Sequence, residues 1–204
     1  MRIFAFVAAF SSLAGPALAH HAMDGKMPVS FTDGLLSGLG HPIIGLDHLA
    51  AVIAVGCLAA SQRHGALMVV GYVVAMAVGA AAHIGEATVA GAEIFVALSV
   101  IALGLVVVRA RPLRLDIAVA LFAFAGLVHG YALGESIAGA QTAPLYAYFI
   151  GLVVIQSAIA LVAMQGARML AARAALEPTL SRVLGAAVIA VGLGVLVLQF
   201  ASGA

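Results

Sequence analysis

Residues 41–48 read His-Pro-Ile-Ile-Gly-Leu-Asp-His and run directly into the apolar stretch 49–60. On one continuous helix, His41 and His48 are seven positions apart and nearly on one face, with Asp47 beside them. A carboxylate in the centre of a membrane costs at least about 2.5–3.5 kcal/mol, so such groups usually face a cavity, a partner or an ion. This segment therefore indicates a buried polar site.

Imidazoles and carboxylates recur at the ends of two further apolar stretches. His83 and Glu86, three positions apart and therefore expected on one helix face, end one, and His129 and Glu135 end another. Imidazole nitrogen with carboxylate oxygen suits nickel, cobalt, zinc or iron, whereas magnesium and calcium favour all-oxygen sites. We therefore predict a divalent-metal site inside the membrane, and hence metal transport. The candidate ligands are His41, Asp47, His48, His83, Glu86, His129 and Glu135.

The composition indicates an all-α integral membrane protein. Of its 204 residues, 65% are hydrophobic and 8% charged, whereas a soluble domain is about 25% charged. No basic stripe suggests nucleic acid, and no Gly-x-x-x-x-Gly-Lys-Ser/Thr loop suggests a nucleotide. The expected partners are a divalent ion and the lipid bilayer, with homo-oligomerisation left open. No prosthetic group is expected, since the metal is the transported substrate.

The apolar pattern predicts six transmembrane helices after a signal peptide. Arg2, an apolar run at 3–13 and the small-x-small site at 17–19 are typical of a cleaved signal, although an uncleaved first helix is the alternative. Residues 1–19 are then the signal peptide, 20–39 a periplasmic segment and 40–204 a six-helix permease domain. The predicted spans, each near the ~20 residues needed to cross, are 40–60, 66–86, 92–108, 115–135, 143–164 and 180–199.

Basic residues predict the orientation. Apart from Lys26, the Lys and Arg residues after the signal peptide lie in the first, third and fifth connections, which the positive-inside rule makes cytoplasmic. We therefore expect a bacterial inner-membrane protein with both mature termini in the periplasm. The candidate ligands then converge on the outer side, and His20 and His21 at the new N-terminus are predicted to capture metal there. The inner half offers few ligands, chiefly Gln156.

Two motifs add a resemblance to a known family. The His-Pro-x-x-Gly-x-Asp-His pattern at 41–48 resembles the hallmark of the HupE/UreJ family of nickel/cobalt permeases. Residues 128–135 are similar to that family's second signature, Phe-His-Gly-x-Ala/Val-x-Gly-x-Glu, with Val128 in place of Phe. The resemblance implies secondary uptake of nickel, or cobalt, for metalloenzymes such as hydrogenase or urease. It implies roles for His41, Asp47, His48, His129 and Glu135, whereas His83 and Glu86 rest on topology and chemistry alone.

Two other functions are compatible with the same residues. A membrane-embedded hydrolase could hold a catalytic zinc on histidines with an open position, a carboxylate serving as general base. A b-type haem between two facing histidines is less suitable, because carboxylates would be unusual neighbours. We favour the permease, which is not an enzyme, and keep the hydrolase as the alternative.

Overall fold

The computed structural model describes residues 27–172 and 177–202. The predicted signal peptide, its cleavage site and the His20–His21 segment lie outside the described residues. The described chain is all-helical, with seven helices and no strand. The helices are α1 (Phe31–Ile44), α2 (Leu46–Ala60), α3 (Gly65–Ile84), α4 (Ala92–Val108), α5 (Leu115–Glu135), α6 (Thr142–Ala171) and α7 (Glu177–Ser202).

Helix length and hydropathy make this a multi-pass membrane protein. α3, α5, α6 and α7 are each long and apolar enough to cross a membrane, and α1 and α2 pass the same criterion as a bent pair. α4 has 17 residues. At about 1.5 Å per residue it covers roughly 25 Å, against a hydrocarbon core of about 30 Å. The described residues thus hold four or five candidate spans, and the predicted count of six is not confirmed.

The prediction of one continuous helix over 40–60 is wrong. α1 begins at Phe31, where Ser30 and Asp33 form a reciprocal capping box, and α2 departs from α1 at an angle of 79°. Between them Gly45 is extended, with φ −73° and ψ 103°. The helical hydrogen bonds of α1 continue past Pro42 to Gly45, whose N–H donates to the His41 carbonyl at 3.0 Å, and those of α2 begin where the Leu49 N–H donates to the Gly45 carbonyl at 2.9 Å.

α2 is the central helix of the described bundle. It contacts each of the other six helices. Its side chains are mostly small, and Ala51, Val52, Ala54 and Val55 are fully buried. Small residues let neighbouring backbones approach closely, which favours helix association in membranes. The polar residues at the start of α2 are therefore carried into the middle of the bundle.

The helix pairs run in the directions expected of a chain that alternates across a membrane. α3 and α5 are parallel, since Gly126 packs on Tyr72 and Gly134 packs on Ala80. α4 and α7 are antiparallel, since Gly104 packs on Gly185 whereas Gly192 lies against Ala97.

The basic connections meet at one end of the bundle. The Gln62 side-chain amide donates to the Leu113 carbonyl at 3.2 Å, and Arg168 donates to the Ala60 carbonyl at 3.4 Å. A cavity of about 420 Å³ at this end is lined by Arg111 and Arg168, among others. These connections, separated in the sequence, therefore share one end, as the charge pattern predicted.

Candidate metal centre

Three imidazoles from different helices come together in the core of the bundle. His41 on α1, His48 on α2 and His129 on α5 form what we call the histidine cluster. Their exposed fractions are 5%, 5% and 0%. The ring centres of His41 and His48 are 6.2 Å apart, and those of His48 and His129 are 5.0 Å apart.

The helix break, and not a shared helix face, places His41 beside His48. The expectation that both lie on one helix is wrong, because α1 ends before Gly45 and α2 begins after it. Gly45 itself packs against the imidazole ring of His48. An added Cβ there would lie 2.8 Å from Cδ2 of His48 and 3.2 Å from Oδ1 of Asp47. An alanine at this position would therefore displace the His48 ring.

His129 is held by hydrogen bonds at both ring nitrogens. Its Nδ1 is 2.8 Å from Nδ1 of His48, and its Nε2 is 2.9 Å from Oγ of Ser99 on α4. Ser99 is itself 1% exposed. The sequence analysis did not identify Ser99. The available signal was that Ser99 is the one polar residue of the apolar stretch 94–108.

Asp47 lies next to the cluster, in the first turn of α2, and is half-buried. Its Oδ1 accepts a hydrogen bond from the backbone N–H of His48 at 2.9 Å. That N–H is one of those that a helix start leaves without an internal partner, and a negative charge is favourable there. Asp47 thus has a structural role, independent of its predicted role as a ligand.

His83 and Glu135 lie apart from the histidine cluster, in a second polar site. Both line a cavity of about 360 Å³ that also includes Glu93 and Gln199, which we call the Glu93 pocket. The Gln199 amide donates a hydrogen bond to the Glu93 carboxylate. The His83 ring packs on Tyr131 with ring centres 4.6 Å apart. The hydroxyl of Tyr131 fixes the adjoining turn by donating to the Ala87 carbonyl at 2.7 Å.

Glu86 does not share a helix face with His83 as predicted. α3 ends at Ile84, and Gly85 caps it. Glu86 follows in the turn with φ 63°, a left-handed conformation, and its side chain is exposed. The helix ends before it reaches this carboxylate, so the pairing inferred from helical spacing fails.

The seven predicted ligands therefore divide into three groups. His41, His48 and His129 cluster with Asp47 alongside, His83 and Glu135 line the Glu93 pocket, and Glu86 is at the surface. Within residues 27–172 and 177–202, no three His, Cys, Asp or Glu side chains are already arranged to hold a metal. The metal-binding role of these residues stays a prediction.

The fold and this cluster define a helical multi-pass membrane protein with a buried, imidazole-lined centre. The sequence matches the family model described as HupE / UreJ protein over residues 8–195, so the chain belongs to the HupE/UreJ family. The resemblance inferred from the two motifs is confirmed.

One curated relative is similar to a large part of the chain. Protein HupE from Rhizobium leguminosarum bv. viciae is 32% identical over 126 residues, which is 61% of this chain. The match spans 63% of the length of that relative. No solved structure matches the chain.

Proposed function

We propose that this protein is a secondary permease that brings Ni²⁺, or Co²⁺, across the bacterial inner membrane for metalloenzyme maturation. The observation that carries the proposal is the histidine cluster, three imidazoles buried in an apolar helical bundle where the α1–α2 pair is broken. Membership of the HupE/UreJ family supports transport and gives no support to the hydrolase alternative.

A broken helix is a suitable place for an ion in transit. Non-helical backbone at membrane depth is tolerated where it is buried in protein or lines a cavity, and broken helices carry ion sites in other transporters. The C-terminal end of α1 is partially negative and favours a cation, whereas the N-terminal end of α2 is partially positive. Asp47 lies at that positive end and offsets it. The negative end of α1 and the Asp47 carboxylate together favour a divalent cation at the break.

The donor types account for the choice of ion. Neutral imidazoles bind borderline first-row ions well, whereas magnesium retains its waters and favours oxygen. A metal–imidazole bond is about 2.0–2.1 Å long. Ring centres 6.2 Å apart therefore put His41 and His48 near the separation at which one ion contacts a nitrogen of each.

We propose that the Glu93 pocket is the entrance and that it faces the periplasm, as do both mature termini. Its two carboxylates, Glu93 and Glu135, lie at the end of the bundle opposite the arginine-rich connections and attract cations. A membrane potential, negative inside, supplies about 4.6 kcal/mol per 100 mV for a divalent ion, twice the single-charge value. Inward movement therefore needs no nucleotide.

The proposal is tested by radiotracer nickel uptake in a host that lacks its own nickel importers. Asp47→Asn removes the charge but keeps an oxygen that can accept from the His48 N–H. We expect uptake to fall to the level of cells without the protein, at equal membrane abundance. His64→Ala, at an exposed position beyond α2, is the control and should retain wild-type uptake.

Two results would contradict the proposal. One is Asp47→Asn uptake equal to wild type at limiting nickel. The other is absence of nickel and cobalt uptake by the wild-type protein in the membrane, which would return the hydrolase to consideration.

A further inference from the structure

A chain of hydrogen bonds runs through the core from α2 to α4 by way of α5. Nδ1 of His48 is 2.8 Å from Nδ1 of His129, whose Nε2 is 2.9 Å from Oγ of Ser99. The Ser99 hydroxyl in turn donates to the Val96 carbonyl at 2.7 Å. The three side chains are all buried, so each proton in the chain has a defined partner.

The direction of each bond follows from the Val96 end. A carbonyl can only accept, so it takes the single hydrogen of the Ser99 hydroxyl. Ser99 Oγ can then only accept from His129, which places the hydrogen of that neutral ring on Nε2. Nδ1 of His129 consequently carries the lone pair and accepts from Nδ1–H of His48. The remaining nitrogen of His48, Nε2, must carry a lone pair.

We propose that Ser99 and His129 are positioning residues that hold His48 in the Nδ1–H tautomer, so that its Nε2 is the nitrogen offered to the transported ion. The identity of that ion rests on the proposed function. While the chain is intact, His129 has no lone pair left for a metal, so it orients a ligand and is not one itself.

The placement of the His48 ring agrees with this assignment. Its Nδ1 side faces His129, and its Cδ2, which is bonded to Nε2, is the atom closest to a Cβ built on Gly45. The Cδ2–Nε2 edge therefore lies on the side of the helix break, where α1 ends and the His41 ring is 6.2 Å away. The free nitrogen is directed to the part of the site where a permeating ion would pass.

The acceptor type suits a site that must release its ion. Metal-bound histidines usually donate their second N–H to a carboxylate, a carbonyl or water, which raises ligand basicity. Here the acceptor is a neutral imidazole, which is a weaker acceptor than a carboxylate. The tautomer is thus fixed without the tighter binding that a buried carboxylate would give.

The tautomer is measured directly by ¹⁵N NMR of histidine-labelled protein in lipid, without metal and at mildly alkaline pH, where imidazoles are neutral. The His48 signals are assigned by their loss in His48→Gln. We expect the Nδ1–H form in the wild type. In Ser99→Ala, His129 loses its Nε2–H acceptor, and His48 should shift toward the Nε2–H form. Ser99→Thr keeps the hydroxyl and should restore the wild-type spectrum.

Transport provides the second readout. Ser99→Ala should raise the KM for nickel by up to about tenfold, the lower end of the effect of removing a direct partner of a metal ligand, because Ser99 acts on His48 through His129. Ser61→Ala is the matched control. It also removes a serine hydroxyl that donates to the carbonyl three residues back, but at the far end of α2, and should leave KM unchanged.

An Nε2–H tautomer of His48 in the wild type would overturn the assignment. An unchanged His48 spectrum in Ser99→Ala would overturn the role of Ser99. The spectra are recorded without metal, so they test the tautomer of His48 even if the protein transports no nickel. Absence of nickel transport would contradict the proposed function alone.

Discussion

Gly130 lies where α5 packs most closely on α3, next to His129. A Cβ at Gly130 would lie 2.6 Å from the carbonyl carbon and 2.7 Å from the Cα of Met76, and closer still to its carbonyl oxygen. These are backbone atoms and cannot rotate away, so Gly130→Ala must push the two helices apart by roughly 1 Å. Overpacking of this kind costs about 1–3 kcal/mol of stability.

The matched control is Gly71→Ala, on the opposite member of the same helix pair. An added Cβ at Gly71 meets nothing within 4 Å. Both variants gain the same helix propensity, about 1 kcal/mol for Ala over Gly. The difference between their free energies of unfolding therefore measures the steric cost of the added methyl group at Gly130. Gly71→Ala should be more stable than the wild type, and Gly130→Ala should be less stable than Gly71→Ala by about 1–3 kcal/mol.

Thermal unfolding of the purified variants in detergent measures this difference. For a chain of this size, 1 kcal/mol corresponds to about 2–4 °C in Tm. Because His129 directly precedes Gly130 on α5, the same displacement should disturb the 2.8 Å hydrogen bond between His48 and His129. Nickel uptake should therefore fall in Gly130→Ala and not in Gly71→Ala. A Tm for Gly130→Ala equal to or above that of Gly71→Ala would refute the reasoning.

Two further predictions concern orientation and the inner part of the route. A reporter fused after Arg111 should be cytoplasmic and one fused at Gln141 periplasmic, because the basic connections share one end of the bundle; both reporters on one side would contradict the topology. Gln156→Leu should keep or raise Tm but lower nickel uptake. In the described part of the chain both amide atoms of Gln156 are buried and unpartnered, and such a group costs about 1–3 kcal/mol unless water or an ion contacts it. Full uptake by Gln156→Leu would exclude it from the route.

Much of the architecture could be predicted because it depends on short-range patterns. A membrane helix satisfies its own backbone hydrogen bonds, so apolar runs mark helices directly, and α4 and α5 have the bounds predicted for them. The break at Gly45 was missed because α1 and α2 together satisfy the length and hydropathy of a single span. Only the backbone chemistry of Pro42 and Gly45 signals it, and proline and glycine occur in many unbroken membrane helices.

By itself, the sequence determined the class of protein, the family and the residue types that could bind metal, since these follow from composition and local motifs. It also identified His41, His48 and His129, because buried imidazoles are costly and therefore conspicuous in an apolar chain. Only the tertiary structure decided which of the candidates meet. Glu135 lies in a different site from His129, and Glu86 lies in an exposed turn away from both sites. Ser99, from a helix with no recognisable motif, contacts the histidine cluster. These outcomes depend on where helices end and how closely they pack, which are properties of contacts between distant segments.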